Sequence, residues 1–411
     1  MAAARPAPPA RTVGVPTPRL SRMIRRVLRY LPQNDGGGAA FAASPAAATP
    51  GVPGLTLQKP VRSLACMPNQ ARIDIQEPSE GEPVFGAGVW HFATYVDRYA
   101  TDGYGEPRTI LDAIKLAGEV GDLSVLDLNW PFPPGGISTA AVRDALAEQN
   151  LRAIAVTPEF YTGKFAKGGF TNPDPGVRRQ AIDLVAASAE VGRELGVDYV
   201  KIWPGQDGYD YPFQADYTDL WTKSVDALRE LAQSFPDLKF AIEYKPREPR
   251  NRMVFSSVAR TLLAIEDMGV DNVGVLLDFG HSLYGGETPA EAARMAIARD
   301  RLFAIDVNDN FRGWDDDMVV GSVHLLETFE FFFALHDAGW QGVWQLDQFP
   351  FREDPVEAAR TGIRTMRAFH QALAYLDREE LAAAQSAQDA LRAQRIAKRA
   401  LFRALAESES E

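Results

Sequence analysis

The chain is poor in the residues that build disulfides and zinc sites, with one cysteine and five histidines in 411 residues, and it has no apolar run of membrane-spanning length. The lone thiol, Cys66, excludes an internal disulfide framework and any cysteine-built metal site, and it suits a reducing compartment. A bilayer-spanning helix needs about 18 to 20 apolar residues, so the expectation is a cytoplasmic protein with no membrane partner. Positive charge is also short. Lysine and arginine number 43 against 55 acidic residues, for a formal net charge of −12. Such a surface is a poor electrostatic match for a phosphate backbone, which argues against nucleic acid as a partner. What remains, 46% hydrophobic and 24% charged, is the balance of a globular protein with a substantial core.

Acid is scarcest at the start. Across the first 66 residues Asp35 is the only carboxylate, while Arg5, Arg11, Arg19, Arg22, Arg25, Arg26 and Arg29 recur among alanine, proline and glycine. That composition cannot bury enough apolar surface to offset the entropy of ordering. Residues 1–82 are therefore expected to be a disordered, low-complexity extension. The amphipathic run Ser21 to Leu31 admits an organelle transit peptide, and a plain tail or a true start at Met67 are the alternatives.

From residue 83 to 373 short β-rich runs alternate with longer segments of helical period, the pattern of βα units around a parallel sheet. Candidate strands are Val84 to Phe92, Leu123 to Leu128, Ala153 to Thr157, Tyr199 to Trp203, Lys239 to Tyr244, Val273 to Asp278, Leu302 to Val307 and Gly342 to Asp347. Gly176 to Gly196, Tyr217 to Ser234 and Ser257 to Met268 carry apolar residues at three- and four-residue intervals and read as outer helices. Eight strands predict an α/β fold of the (β/α)₈ TIM-barrel class. Residues 374–411, rich in alanine, glutamine and arginine, predict a C-terminal helical arm running from Arg378 to Ala406 and reaching another subunit.

Polar residues gather where the apolar runs stop: Trp203-Pro-Gly-Gln, Glu243-Tyr-Lys245-Pro, Asp278-Phe-Gly-His281, Asp306-Val-Asn308 and Asp347-Gln-Phe-Pro. In a (β/α)₈ barrel these positions converge on the C-terminal face, where the fold builds its active sites. One carboxylate at a strand end is ordinarily a helix cap, but several on different strands crowd one cavity. Glu243, Asp278, Asp306, Asp315, Asp317 and Asp347 cannot all stay ionised at close quarters without cations, since like charges push each other's pKa values upward. Oxygen ligands with the single imidazole of His281 favour Mg²⁺, Mn²⁺ or Co²⁺ over zinc.

The order of these motifs resembles the xylose isomerase family over residues 83–373. Phe240-Ala-Ile-Glu243-Tyr-Lys245-Pro-Arg-Glu248-Pro-Arg250 is similar to the segment in which a metal-binding Glu precedes a catalytic Lys by two residues. Asp278-Phe-Gly-His281 resembles the family's Glu-x-x-His, Ala304-Ile-Asp306-Val-Asn308 its His-Ile-Asp-Leu-Asn, and Leu346-Asp347-Gln-Phe-Pro-Phe-Arg-Glu-Asp354 its Phe-Asp-Phe-Lys-Pro-Pro-Arg-x-Glu-Asp. Lys167-Gly-Gly-Phe-Thr171-Asn and Val177-Arg178-Arg179 match a loop and helix start upstream.

The resemblance implies two divalent cations per subunit. Glu243, Asp278, Asp306 and Asp347 would hold the structural one; Asp278, His281, Asp315 and Asp317 the catalytic one. Lys245 would hydrogen-bond the carbonyl oxygen of an open-chain sugar, and Trp203 would wall off water. Asp317 would orient the water that assists proton transfer, and Asn129 and Asn308 would line the substrate; Trp90 and His91 join them as candidates by their place near the end of the first strand. It further implies a homodimer or homotetramer, with an aromatic such as Tyr104 reaching a neighbour's site.

Three positions depart from the family. Asp278 is one methylene shorter than the bridging Glu, the loop from Asp306 to Asp315 is one residue shorter, and Asn129 stands where the family's ring-opening His belongs. Asp127 and His91 are the candidates to replace that His, and the substrate is expected to be a sugar other than xylose. The leading expectation is an aldose–ketose isomerase using a metal-assisted hydride shift. The alternatives are an epimerase of the same superfamily, a barrel that binds sugar without reacting, and a phosphodiester-cleaving metal enzyme, which would want more histidines and a basic groove.

Overall fold

The computed structural model of the protein describes residues 83–408; the expected N-terminal extension, with Cys66 and Met67, lies outside them. Eight parallel strands close into a barrel: β1 (Phe85–Gly88), β2 (Val125–Trp130), β3 (Arg152–Pro158), β4 (Tyr199–Ile202), β5 (Phe240–Glu243), β6 (Val273–Asp278), β7 (Leu302–Val307) and β8 (Trp344–Leu346). Each pairs with its neighbours in sequence, and β8 closes on β1 through Phe85 beside Trp344 and Ala87 beside Leu346. All eight expected strands are present. The first is shorter than its apolar run, because after Gly88 the chain turns into a single 3-10 turn, Val89–Phe92.

Helices follow the strands: α1 (Ile110–Val120), α2 (Thr139–Glu148), α3 (Pro175–Leu195), α4 (Tyr217–Ser234), α5 (Val258–Met268), the short α6 (Phe279–Tyr284), α7 (Pro289–Ile297), α8 (Leu325–Asp337) and α9 (Pro355–Tyr375). Their starts are written locally. Thr109 and Asp112 form a capping box on α1, and Asp174, Asp216, Ser257 and Asp354 each accept a backbone N–H of the helix that follows. The main core lies between this ring of helices and the outer face of the barrel.

The C-terminal arm is corrected in two ways. It is two helices, α10 (Arg378–Ser386) and α11 (Ala390–Ser408), broken near Gln388, whose φ of 51° is left-handed. They also fold back rather than reach outward. Ile396, Ala400, Leu401 and Ala404 bury one face of α11 next to α9 of the same chain. The Arg403 guanidinium stacks 3.8 Å from the Tyr375 ring, and Gln371 Nε2 donates to Glu407 at 2.9 Å.

Candidate metal centre

Side chains two residues apart share one face of a strand, so the barrel interior is built in layers. Val125, Ala155, Tyr199, Ala241, Leu276 and Ala304 form an apolar plug inside it. One step further along each strand come Asp127, Thr157, Lys201, Glu243, Asp278 and Asp306, all buried. Register sharpens the crowding, since Asp278 and Asp306 are direct partners on β6 and β7, and Asp306 is partnered by Gln345 on β8. Above this layer opens a cavity of about 2170 Å³, walled by Glu243, Lys245, His281, Asp315, Asp317 and Asp347 among others.

The acidic cluster has two halves. In one, the Lys201 ammonium donates to Asp306 Oδ2 at 2.6 Å and Glu243 Oε2 at 2.9 Å, with Asp347 Oδ2 at 3.7 Å. Gln345 Nε2 donates to the other Asp306 oxygen at 2.8 Å, and Trp90 Nε1 to Asp347 Oδ1 at 2.5 Å. In the other half, Asp278 caps α6 by accepting the His281 backbone N–H at 2.7 Å, which fixes where the imidazole starts. His281 Nδ1 lies 3.0 Å from the Tyr244 carbonyl, an acceptor, so that nitrogen carries the proton; Nε2 lies 3.0 Å from Asp315 Oδ2. The same Asp315 oxygen is 2.8 Å from Lys245 Nζ, which also pairs with Glu248.

Negative charge is in excess. Burial, opposed by His281, pushes Asp278 up to about 8, and burial together with Asp315 holds Asp317 well above the carboxylate range. Burial also raises Asp315, but Lys245 and His281 outweigh it and hold that carboxyl below its usual range. Burial disfavours a charged His281, yet Asp278 and Asp315 carry it to about 9. Lys201 and Lys245 stay ammonium ions, because their carboxylate neighbours overcome the cost of burying them. Carboxyls that keep protons near neutrality for want of cations describe a site that gains from binding one.

The expected site residues separate by position. Trp203, Trp90 and Asn129 line the cavity; Tyr161 stands edge-on to Trp203 at 4.6 Å and accepts from Asn129 Nδ2 at 3.2 Å. Asn308 is buried behind the carboxylates, donating to Asp278 Oδ2 at 3.0 Å and Asp317 Oδ1 at 3.4 Å, so it holds these carboxyls rather than lining the cavity. His91 is not in the cavity wall. Its Nε2 donates to the Pro355 carbonyl at 2.8 Å, and burial, opposed by that carbonyl, lowers it to about 4. Asp127 is likewise buried under the cavity, accepting from Thr157 Oγ1 at 2.8 Å. Tyr104 packs on Phe351 of its own chain at 5.2 Å.

The wall residues missed from sequence include Lys201, Tyr161 and Glu159, the last raised above its ordinary pKa by burial. Lys201 did carry a signal. A lysine inside the strand Tyr-Val-Lys-Ile of a sheet covered on both faces has no route to water, so it must meet counter-charges inside.

Among the described residues two sets of ligand atoms converge within 4.8 Å: Glu243, Asp278 and His281, and Glu243, Asp278, Asp306 and Asp347. The first suits a divalent cation that displaces a proton from His281, and beside it Asp315 Oδ1 is buried without a hydrogen-bond partner. The second is the set around Lys201, whose ammonium already bonds two of its four carboxylates.

Comparison with known proteins agrees with this geometry. Residues 112–369 match the family model described as xylose isomerase-like TIM barrel. The chain is 30% identical over 291 residues to a xylose isomerase of Thermus thermophilus, covering 66% of this chain and 74% of that one. A probable sugar isomerase of Mesorhizobium japonicum is 28% identical over 338 residues, 76% of this chain and 75% of that one. Among solved structures, an L-ribulose 3-epimerase superposes with a TM-score of 0.55 at 16% identity, over 70% of this chain and 95% of that one, a likeness of fold. With its closed eight-stranded barrel, its strand-end carboxylates and this sequence match, the chain belongs to the xylose isomerase-like TIM barrel family.

Proposed function

We propose that the protein is a divalent-metal-dependent aldose–ketose isomerase acting on an open-chain sugar by hydride shift. The observation that carries this reading is the Lys245 ammonium in the cavity wall, 2.8 Å from Asp315 and 5.5 Å from the Trp203 ring, beside the imidazole of His281. Glu243, Asp278, His281, Asp315 and Asp317 would hold the cation, which when bound would supply Lewis-acid polarisation of the substrate's oxygens. Lys245 donates a hydrogen bond to the carbonyl oxygen as negative charge grows on it. Trp203 and Tyr161 present apolar surface to the reacting carbons and keep water from the hydride. The hydride leaves C2 for C1 while a proton passes from the C2 oxygen to the C1 oxygen, so aldose becomes ketose with nothing gained or lost. Asp317, beside Asp315 in the cavity wall, would relay it.

The form we propose is a cytoplasmic homodimer or homotetramer using Mg²⁺, Mn²⁺ or Co²⁺. Chelator-stripped protein, restored with each metal and offered a panel of aldoses and ketoses in D₂O, tests the reading. Metal-dependent interconversion without solvent deuterium on carbon is expected, and loss of turnover in Glu243→Ala. Deuterium on the substrate carbon would mean proton exchange through a carboxylate, the signature of an epimerase, and would overturn the hydride shift.

A further inference from the structure

The carboxylate set that the family resemblance assigns to a structural cation is occupied here by a side chain of the protein. Lys201 projects from the middle of β4 into the layer that holds Glu243, Asp278 and Asp306, and it is 2% exposed. An ammonium has three N–H donors and no acceptor. Three carboxylates face this one, Asp306 at 2.6 Å, Glu243 at 2.9 Å and Asp347 at 3.7 Å, and the Trp90 ring lies on its flank with its centroid 4.7 Å from Nζ. Trp90 in turn donates to the second oxygen of Asp347, and Gln345 to the second oxygen of Asp306. The two strand-end aspartates that only this half uses are therefore hydrogen-bonded through both oxygens or flanked by the ammonium.

A divalent ion coordinates carboxylate oxygen at about 2.0 to 2.6 Å. An ion bound to Asp306 and Glu243 in that way would share its oxygens with Lys201 Nζ and stand within a few ångströms of a fixed positive charge, in a buried place where such repulsion is poorly screened. The residues do not fit a second metal while the ammonium is there.

We propose that Lys201 is a built-in cation that takes the place of the structural metal, so that each chain binds one divalent ion, at the Glu243, Asp278 and His281 set. Lys201 acts through the ligands it holds, as a positioning residue. The proposal rests on the metal dependence argued above, and it makes the stoichiometry a property of one strand residue. A single monovalent charge also leaves part of the negative charge of Glu243 to offer the remaining ion.

The test is a metal count on the full chain. Wild type, Lys201→Ala and Lys201→Arg are stripped with chelator, equilibrated with excess Mn²⁺, desalted and measured for bound metal, with the Mn²⁺ EPR spectrum recorded on each. One ion per chain with an uncoupled spectrum is expected for wild type and Lys201→Arg, and two ions with a spin-coupled spectrum for Lys201→Ala. His281→Ala should remove the wild-type ion and leave one in the double variant. Two ions in wild type would overturn the inference and leave the proposed enzyme standing. One ion in both wild type and Lys201→Ala would also overturn it, since the ammonium would not be what excludes the second. No bound ion in wild type would bring down the metal dependence itself, and the inference with it. Should Lys201→Ala fail to fold, the wild-type count decides alone.

Discussion

The two halves of the acidic cluster share Glu243 and the strand ends of one barrel, yet they solve the same electrostatic problem differently. Around Lys201 the carboxylates are balanced by a covalently held ammonium, nearly buried at the base of the cavity wall. Around His281 they are balanced only in part by Lys245, and Asp278 and Asp317 retain protons near neutrality. On the proposal above, a set of strand-end carboxylates keeps its place while the cation that serves it changes in kind. The difference also separates a half that holds the site together from a half equipped to react.

The largest way to break the comparison is to remove the internal cation. Lys201→Met leaves Asp306 and Glu243 buried with no counter-charge, and we expect a loss of about 3–5 kcal/mol in metal-free protein, read by denaturant unfolding in chelator and partly restored by added Mn²⁺. Next is the open half. Lys245→Met should lower kcat on the order of 10²- to 10³-fold, the usual effect of deleting one donor to a developing oxyanion, while the bound-metal count stays that of wild type.

His91 sharpens the contrast between wall and support. In the folded chain it stays neutral down to about 4, whereas an unfolded histidine takes its proton near 6.5. Its contribution is thus complete above pH 6.5 and is lost as pH falls toward 4, a change of about 3 kcal/mol at most. His91→Gln should flatten the stability–pH curve in that window and leave turnover at pH 7.5 little changed.

The smallest effect concerns proton release. Because Asp278 holds its proton up to about pH 8 in the metal-free site, cation binding at pH 7 must expel it. Affinity should weaken by about tenfold per pH unit below that point for each proton displaced, measured by calorimetry in two buffers of different ionisation enthalpy. A pH-independent affinity would show that Asp278 is not a ligand.

The frame of the protein was legible in the one-dimensional pattern. Eight β-rich runs separated by helical periodicity gave every barrel strand within a few residues, because an apolar run in a doubly covered sheet has few other places to go. The strand-end carboxylates were legible for a related reason, as charges at the ends of buried runs have to be solvated or paired. The failures have their own causes. His91 read as a site residue by its neighbourhood to Trp90, but the 3-10 turn after Gly88 rotates the two apart, Trp90 to the cavity and His91 to the Pro355 carbonyl. The C-terminal segment read as one outward arm because its composition favours helix throughout; the fold-back depends on Ile396, Leu401 and their neighbours finding α9, a contact across the chain rather than along it.

By itself the sequence determined the barrel, the face on which the chemistry collects, and the identity of the acids, the imidazole and Lys245 that gather there, since all of these follow from period, register and the cost of burying charge. Only the tertiary structure decided how the charges pair. Lys201 and Asp306 are 105 residues apart and meet because closing the barrel brings β4 and β7 to one interior layer, where Coulomb interactions depend on distance through space and ignore distance along the chain.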